Sequence, residues 1–333
     1  LLNVEKTIQL ARSLGKRVYI TCNIFFRNKH IDAFKEHLQR IALYKPDAII
    51  VSDFAFINHI AKKFPDIEVH VSTQSSIMNY ETARLCRDLG AKRIIFAREL
   101  HIDEISEIIA KTGIQAEVFC HGAMCMAYSG RCMLSSFLTA DQHIAKKEKN
   151  RRLRAANEGD CSHPCRWEYY VVEKKRPGEL FTVEEDEESM SIFSSRDLCL
   201  IKRIDELKKA GIISIKIEGR MKSVYYVAGV TRVYRFCLDN GYSDFLFQEL
   251  DKLAHRPYTE SFIFGDFSVK VPVNKEYSRS THFLGTIEKN IGKNCYSINV
   301  NNRIEITDTI EIIYPDMKSI YLNPGEFKIL NKE

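Results

Sequence analysis

One alternation limits how this chain can fold more than any other feature. Short apolar, β-branched runs at 17–22 (RVYITC), 47–51 (DAIIV), 67–71 and 93–96 are each followed by a stretch with helical spacing, at 31–43, 54–64, 79–89 and 102–110. A fifth run, 115–119, leads into a cysteine-rich segment. Strand and helix units recurring every roughly 20 to 30 residues predict a parallel sheet with helical crossovers. The runs are continuously apolar, as strands covered on both faces require. Two closures remain open, a doubly wound sheet and a TIM-type (β/α) barrel. The barrel is favoured, because no Gly-rich phosphate loop follows the first run and polar residues gather just after each run. They are Thr21-Cys22-Asn23, Ser52-Asp53, Ser72-Thr73-Gln74, Arg98-Glu99 and Cys120-His121. In a barrel these ends form the active face. Each cluster also suits a helix N-cap or a turn. The first residue is Leu, and Val4, Ile8, Leu10, Ala11 and Leu14 already follow helical spacing, which predicts a barrel that is N-terminally incomplete here.

Beyond residue 235 the pattern changes. Residues 241–257 read as a linker with a short helix, and from 258 apolar and polar residues alternate between turn signals. That predicts a small antiparallel β-barrel or sandwich over 258–333, beside a catalytic barrel over 1–240 whose cysteine-rich loop spans 120–199. A chain of 333 residues, 45% of them hydrophobic, can fill one large core and one small one. No apolar run approaches the roughly 18 to 20 residues of a membrane span, and residues 1–12 mix charge with apolar groups as no signal peptide does, so a cytoplasmic location is expected. The net charge of +5 permits a nucleic-acid partner without requiring one.

Ten cysteines are present, and Cys120, Cys125, Cys132, Cys161 and Cys165 fall within residues 117–166. In a reducing compartment clustered cysteines point to metal or catalysis before cross-links. Zinc would more usually show CxxC or HxxxH pairs. An iron–sulfur cluster takes four thiolates from loops at no universal spacing, which suits Cys125, Cys132, Cys161 and Cys199 better. Cys86 and Cys237 on helices, and Cys22, Cys120 and Cys295 on strands, read as small buried hydrophobes.

The segments EVFCHGAMCMAYSGRCMLSS, GDCSHPCRWEYYVVE, PGELFTVEED and IKIEGRMKSVYYVAGVTRVYR resemble the collagenase-like peptidase family U32, and within it the branch that makes tRNA 5-hydroxyuridine. The resemblance runs from the first strand to about residue 330. It implies a [4Fe–4S] cluster on Cys125, Cys132, Cys161 and Cys199, with Cys165 as an alternate ligand. It further implies oxygen-independent hydroxylation of RNA, converting a tRNA wobble uridine with prephenate as hydroxyl donor. The gap from Cys132 to Cys161 is longer than the family pattern and holds the basic run KKEKNRRLR at 146–154, which can contact phosphates. The acidic run at 184–188 reads as a hairpin tip between Cys165 and Cys199.

A dicarboxylate such as prephenate calls for cationic clamps, and the planar fork of Arg grips a carboxylate at two points. Arg220, with Lys216 and Lys222 beside it, is the expected clamp; Glu218 either holds Arg220 or acts as a base. His121 is a candidate proton carrier or a capping residue beside the cluster loop. Arg166, next to Trp167, can stack a base. Two other classes stay open: a peptidase, for which no HExxH, GxSxG or nucleophile and base pair is visible, and a non-catalytic cluster-bearing RNA-binding protein.

Overall fold

The computed structural model describes residues 2–125, 127–128, 131–139, 154, 156–166, 170–172, 175, 180–182, 196–265, 280–292 and 295–329. Helix α1 (Leu2–Ser13) precedes four strand and helix units: β1 (Tyr19–Cys22) with α2 (Asn28–Leu43), β2 (Ala48–Val51) with α3 (Phe54–Lys63), β3 (Glu68–Val71) with α4 (Tyr80–Asp88), and β4 (Arg93–Ile95) with α5 (Ile102–Thr112). Strand β5 (Gln115–Ala123) follows, then the short α6 (Leu134–Thr139) and the ribbon β6 (Tyr170–Val172) and β7 (Leu180–Thr182). The chain returns through β8 (Asp197–Cys199), α7 (Ile204–Lys209), β9 (Ser214–Ile217), α8 (Val224–Asn240), α9 (Asp244–Asp251) and β10 (Tyr258–Thr259). Strands β11 (Gly285–Gly292), β12 (Cys295–Val300), β13 (Ile310–Ile313) and β14 (Ser319–Leu322) complete it.

Strands β1 to β5 pair in parallel and in sequence order, and β9 joins β5 in parallel. All four residues of β2 are buried, because helices cover the outer face while the inner face lines the sheet's hollow. Phe34, Leu38 and Ile41 of α2, Phe56, Ile57 and Ile60 of α3, and Ile105 and Ile108 of α5 supply that cover. Each such side chain stabilises the fold by about 1.5 to 3 kcal/mol relative to exposure. The helices start where their caps dictate: Asp53 accepts from Ala55 N at 3.0 Å, and Asn79 from Thr82 N at 2.9 Å.

The sheet curves as a barrel wall does. Asn23, after β1, donates from Nδ2 to Ser72 Oγ after β3 at 3.1 Å, reaching past β2. At the other end Arg93 of β4 lies over the Tyr19 ring of β1, 5.7 Å from its centroid. Contacts between non-adjacent strands require a hollow sheet. Among the described residues the sheet is open, β1 pairing only with β2 and β9 only with β5. The departure from a parallel sheet is β8, which runs antiparallel to β5 with His121 opposite Cys199 and Ala123 opposite Asp197. A bulge in β5 between Phe119 and His121 accompanies the change of neighbours.

The C-terminal segment is antiparallel as expected: its described residues form two ribbons, β11–β12 and β13–β14, and among them no ladder joins the two. Side-chain contacts tie these ribbons to the first domain. Lys252, just after α9, meets both oxygens of Glu311 at 2.8 and 3.0 Å, and Tyr225 of α8 stacks on Phe283 with ring centroids 4.6 Å apart. No helix among the described residues is long and apolar enough to cross a membrane.

Candidate functional site

Polar side chains line the rim formed by the strand C-termini. Ser52 Oγ donates to Asn23 O at 2.9 Å, Ser75 Oγ to Ser52 O at 2.8 Å and Thr73 Oγ1 to Phe96 O at 3.2 Å, a chain of bonds linking the ends of β1, β2, β3 and β4. Asp53 and Ser72 also cap a helix and a 3-10 turn. The cap reading of these two clusters therefore holds: caps fix the rim.

Two cations rise inside it. Arg98, three residues past β4, lays its guanidinium on Phe119 at 3.8 Å from the ring centroid, and Lys216 of β9 holds its Nζ 5.3 Å from the same centroid. Burial keeps the Lys216 ammonium below its usual pKa, a shift that Glu117 and Glu218 oppose and Arg98 reinforces. Gly122, at φ +107°, lets β5 approach β9 so closely that a β-carbon there would stand 2.4 Å from Glu218 O. Glu218 then turns back and accepts from Arg220 N at 3.0 Å. The holding role expected of Glu218 is thus exerted on the backbone of Arg220, whose side chain reaches outward.

The cysteine loop lies across the rim. Arg98 Nη1 is 4.0 Å from Cys125 Sγ, the Arg131 guanidinium stands 5.4 Å from the Phe25 ring centroid beyond β1, and a β-carbon at Gly159 would be 4.0 Å from Arg220 Nη1 beyond β9. Within the loop, Cys161 Sγ accepts from His163 N at 3.3 Å, and Ser135 receives Ser162 N at 2.9 Å. Arg154 is the one described residue of the basic run and pairs with Asp160 at 3.0 Å. The rest of that run, the acidic run at 184–188, the Arg166 side chain and Trp167 lie outside the described residues.

The four expected cluster ligands divide. Cys125 is exposed and Cys132 and Cys161 are partly exposed in the loop, as is Cys165. Cys199 is 5% exposed in β8, opposite His121, with burial pushing its thiol up to about 11. The loop thiols are open to solvent, which the Cys199 thiol is not. Cys199 does not join them in this arrangement: among the described residues no three His, Cys, Asp or Glu side chains converge as a metal site requires.

His121 sits deeper than its expected role as a proton carrier allows. It is fully buried among the rings of Tyr226, Tyr234 and Tyr258, and burial pushes its pKa down to about 3. The ring is therefore neutral at neutral pH and packs the wall. Lys222 is also engaged, 3.7 Å from Asp197 Oδ2 and donating to Ala254 O at 3.3 Å, so it braces the fold where a free clamp was expected.

Two residues of this region escaped the sequence reading. Asp197 is 1% exposed and accepts from Arg256 Nη2 at 2.9 Å; burial raises its pKa, and Arg256 with Lys222 lowers it further than that, below the usual value. Tyr234 donates to Cys120 O at 2.8 Å and accepts from Leu200 N at 3.2 Å, with Cys199 Sγ at 3.9 Å. Its place in the apolar stripe of α8, with Tyr226, Val230 and Cys237, marks it only as core.

Comparison with known proteins fits this arrangement. The sequence profile of peptidase family U32 matches residues 2–271. This chain belongs to peptidase family U32. Among its U32 relatives, tRNA hydroxylation protein P of Escherichia coli is 32% identical over 94% of this chain and 77% of its own length. The tRNA hydroxylation protein P1 of Bacillus subtilis is 34% identical over 85% of this chain and 66% of its own. The 23S rRNA 5-hydroxycytidine C2501 synthase of Escherichia coli is 32% identical over 71% of this chain and 33% of its own.

Proposed function

We propose that this U32 chain is an RNA hydroxylase, acting on a tRNA wobble uridine to give 5-hydroxyuridine. The observation that carries the reading is the similarity, along 94% of the chain, to a relative named for tRNA hydroxylation. The rim adds support, since a set of cations under a cysteine loop suits anionic reactants.

In this reading prephenate supplies the hydroxyl group and a [4Fe–4S] cluster supplies redox chemistry without molecular oxygen. Cys125, Cys132 and Cys161 of the loop and Cys199 of β8 would hold it, with Cys165 as the alternate. Arg220, exposed at the end of β9 and facing the loop at Gly159, is the residue best set to meet an incoming phosphate or carboxylate.

The test is mass spectrometry of tRNA from a strain lacking the protein. Loss of 5-hydroxyuridine-derived wobble nucleosides is the expected result, and an unchanged nucleoside profile rejects the function. Anaerobic purification with iron and sulfide assay tests the cofactor separately. Colourless protein without iron rejects the cluster, and full iron retention in both Cys125→Ala and Cys161→Ala rejects the ligand assignment.

A further inference from the structure

We infer that the turn from Ser261 to Gly265 is a strained plug, latched from outside by Arg203, that closes a pocket beside the C-terminal ends of β4 and β5. After β10 the chain passes through Ser261 into a 3-10 turn (Phe262–Phe264) that ends on Gly265 at φ +71°. Ser261 and Ile263 are 5% and 6% exposed, and they wall a pocket with Phe96, Arg98, Val118 and Leu198. That pocket has room for about one water molecule, so the turn fills the space it borders.

Two features mark this wall as one that moves. Ser261 stands at φ 56° and ψ −167°, a conformation that glycine adopts freely and a residue with a β-carbon resists. Thr259 Oγ1 helps to hold it there, accepting from Ser261 N at 2.9 Å. Arg98, which lines the pocket, has its Nε buried without a hydrogen-bond partner, a donor that solvent satisfies once the turn lifts. Both penalties belong to the closed form and disappear on opening. Burial of Ile263 opposes them, and so does Arg203. Its Nε donates to Glu260 Oε2 at 2.9 Å, and its guanidinium lies 5.0 Å from the Phe264 ring centroid. One side chain thus grips the turn before and after Ile263. The Arg203 side chain is 38% exposed, which leaves the latch within reach of solvent while the seat is dry. A closed form balanced in this way is in equilibrium with an open one that exposes Arg98 and Phe119.

This inference stands apart from the functional reading, and its test needs neither RNA nor turnover. Hydrogen exchange of the full chain, followed by NMR, is the measurement. The amides of Phe264 and Gly265 bond within the turn, to Ser261 O at 3.2 Å and Phe262 O at 3.0 Å, and report its opening; those of β5 report the sheet. In the unmodified chain the turn amides should exchange about a hundredfold faster than those of β5 and with little dependence on urea, as local opening exposes little surface. Ser261→Gly removes the strain and should slow the turn amides by about threefold to tenfold. Arg203→Gln removes the latch and should speed them by about threefold to tenfold, with β5 unmoved in both variants. The Arg98 Nε–H, assigned by its loss in Arg98→Lys, should follow the turn amides through each change. Equal urea dependence of turn and β5, a turn that Ser261→Gly leaves unchanged or speeds up, no response to Arg203→Gln, or an Arg98 Nε–H that stays indifferent would each overturn the plug. If a variant fails to fold, the urea dependence of the unmodified chain decides.

Discussion

Strands β4, β5 and β9 carry two polar layers that use the same residue types and reach opposite outcomes. At the N-terminal end, Arg93 and Glu117 are 8% and 6% exposed, lie 3.1 Å apart and share Ser214, with Gln115 Oε1 accepting from Arg93 Nη2 at 3.3 Å. At the C-terminal end, Arg98 and Lys216 stand 3.8 and 5.3 Å from the centroid of the Phe119 ring. The lower layer pairs its charges with each other; the upper cations rest beside an aromatic ring, with Glu117 and Glu218 acting on Lys216 from a distance.

The comparison breaks first at the base. Glu117→Leu leaves Arg93 charged and unpaired in the core and is expected to cost about 3 to 5 kcal/mol in urea unfolding. Arg98→Met, which removes an unpaired cation, is expected to change stability by less than about 1 kcal/mol, and a loss as large as that of Glu117→Leu would erase the distinction between the layers. Next is Gly122→Ala: a positive φ and a 2.4 Å approach to Glu218 O should destabilise by about 1 to 3 kcal/mol and disturb Arg220 at the rim more than Arg93 at the base, read by hydrogen exchange of the flanking strands.

Tyr234→Phe strips Cys120 O and Leu200 N of their shared partner, an expected loss of about 1 to 3 kcal/mol in the same unfolding assay. The smallest effect belongs to Glu311, away from both layers. Burial pushes its pKa up, and hydrogen bonds from Lys252, Ser319 and Tyr321 pull it down further, so the folded value lies below the ordinary 4.5. A depressed folded pKa gives stability that is present above 4.5 and lost as the pH falls through the folded value. Glu311→Gln should flatten that acid limb by no more than about 1 kcal/mol, because the pair is partly exposed to solvent.

The sheet was legible because burial on both faces writes itself into composition: AIIV at 48–51 has no polar residue to misread. The rim was legible for the same reason in reverse, since Ser52, Ser72 and Asn23 interrupt apolar runs. Pairing was not. Arg93 and Arg98 are five residues apart and look alike in sequence, yet one meets Glu117 and the other meets a ring, a choice made by residues some twenty positions away on the next strand. The antiparallel entry of β8 was equally hidden. Nothing in RDLCL at 196–200 announces a strand or its direction; the bulge in β5 and the Arg256 contact with Asp197 appear only in the fold. Cys199 lies in the wall as a result, on β8 opposite His121.

The cysteine loop touches Phe25 beyond β1 and Arg220 beyond β9, the two flanks at which the curved sheet has no further described partner. The two contacts differ in kind: Arg131 sets a guanidinium beside the ring of Phe25, whereas Gly159, by lacking a side chain, leaves room for the guanidinium of Arg220.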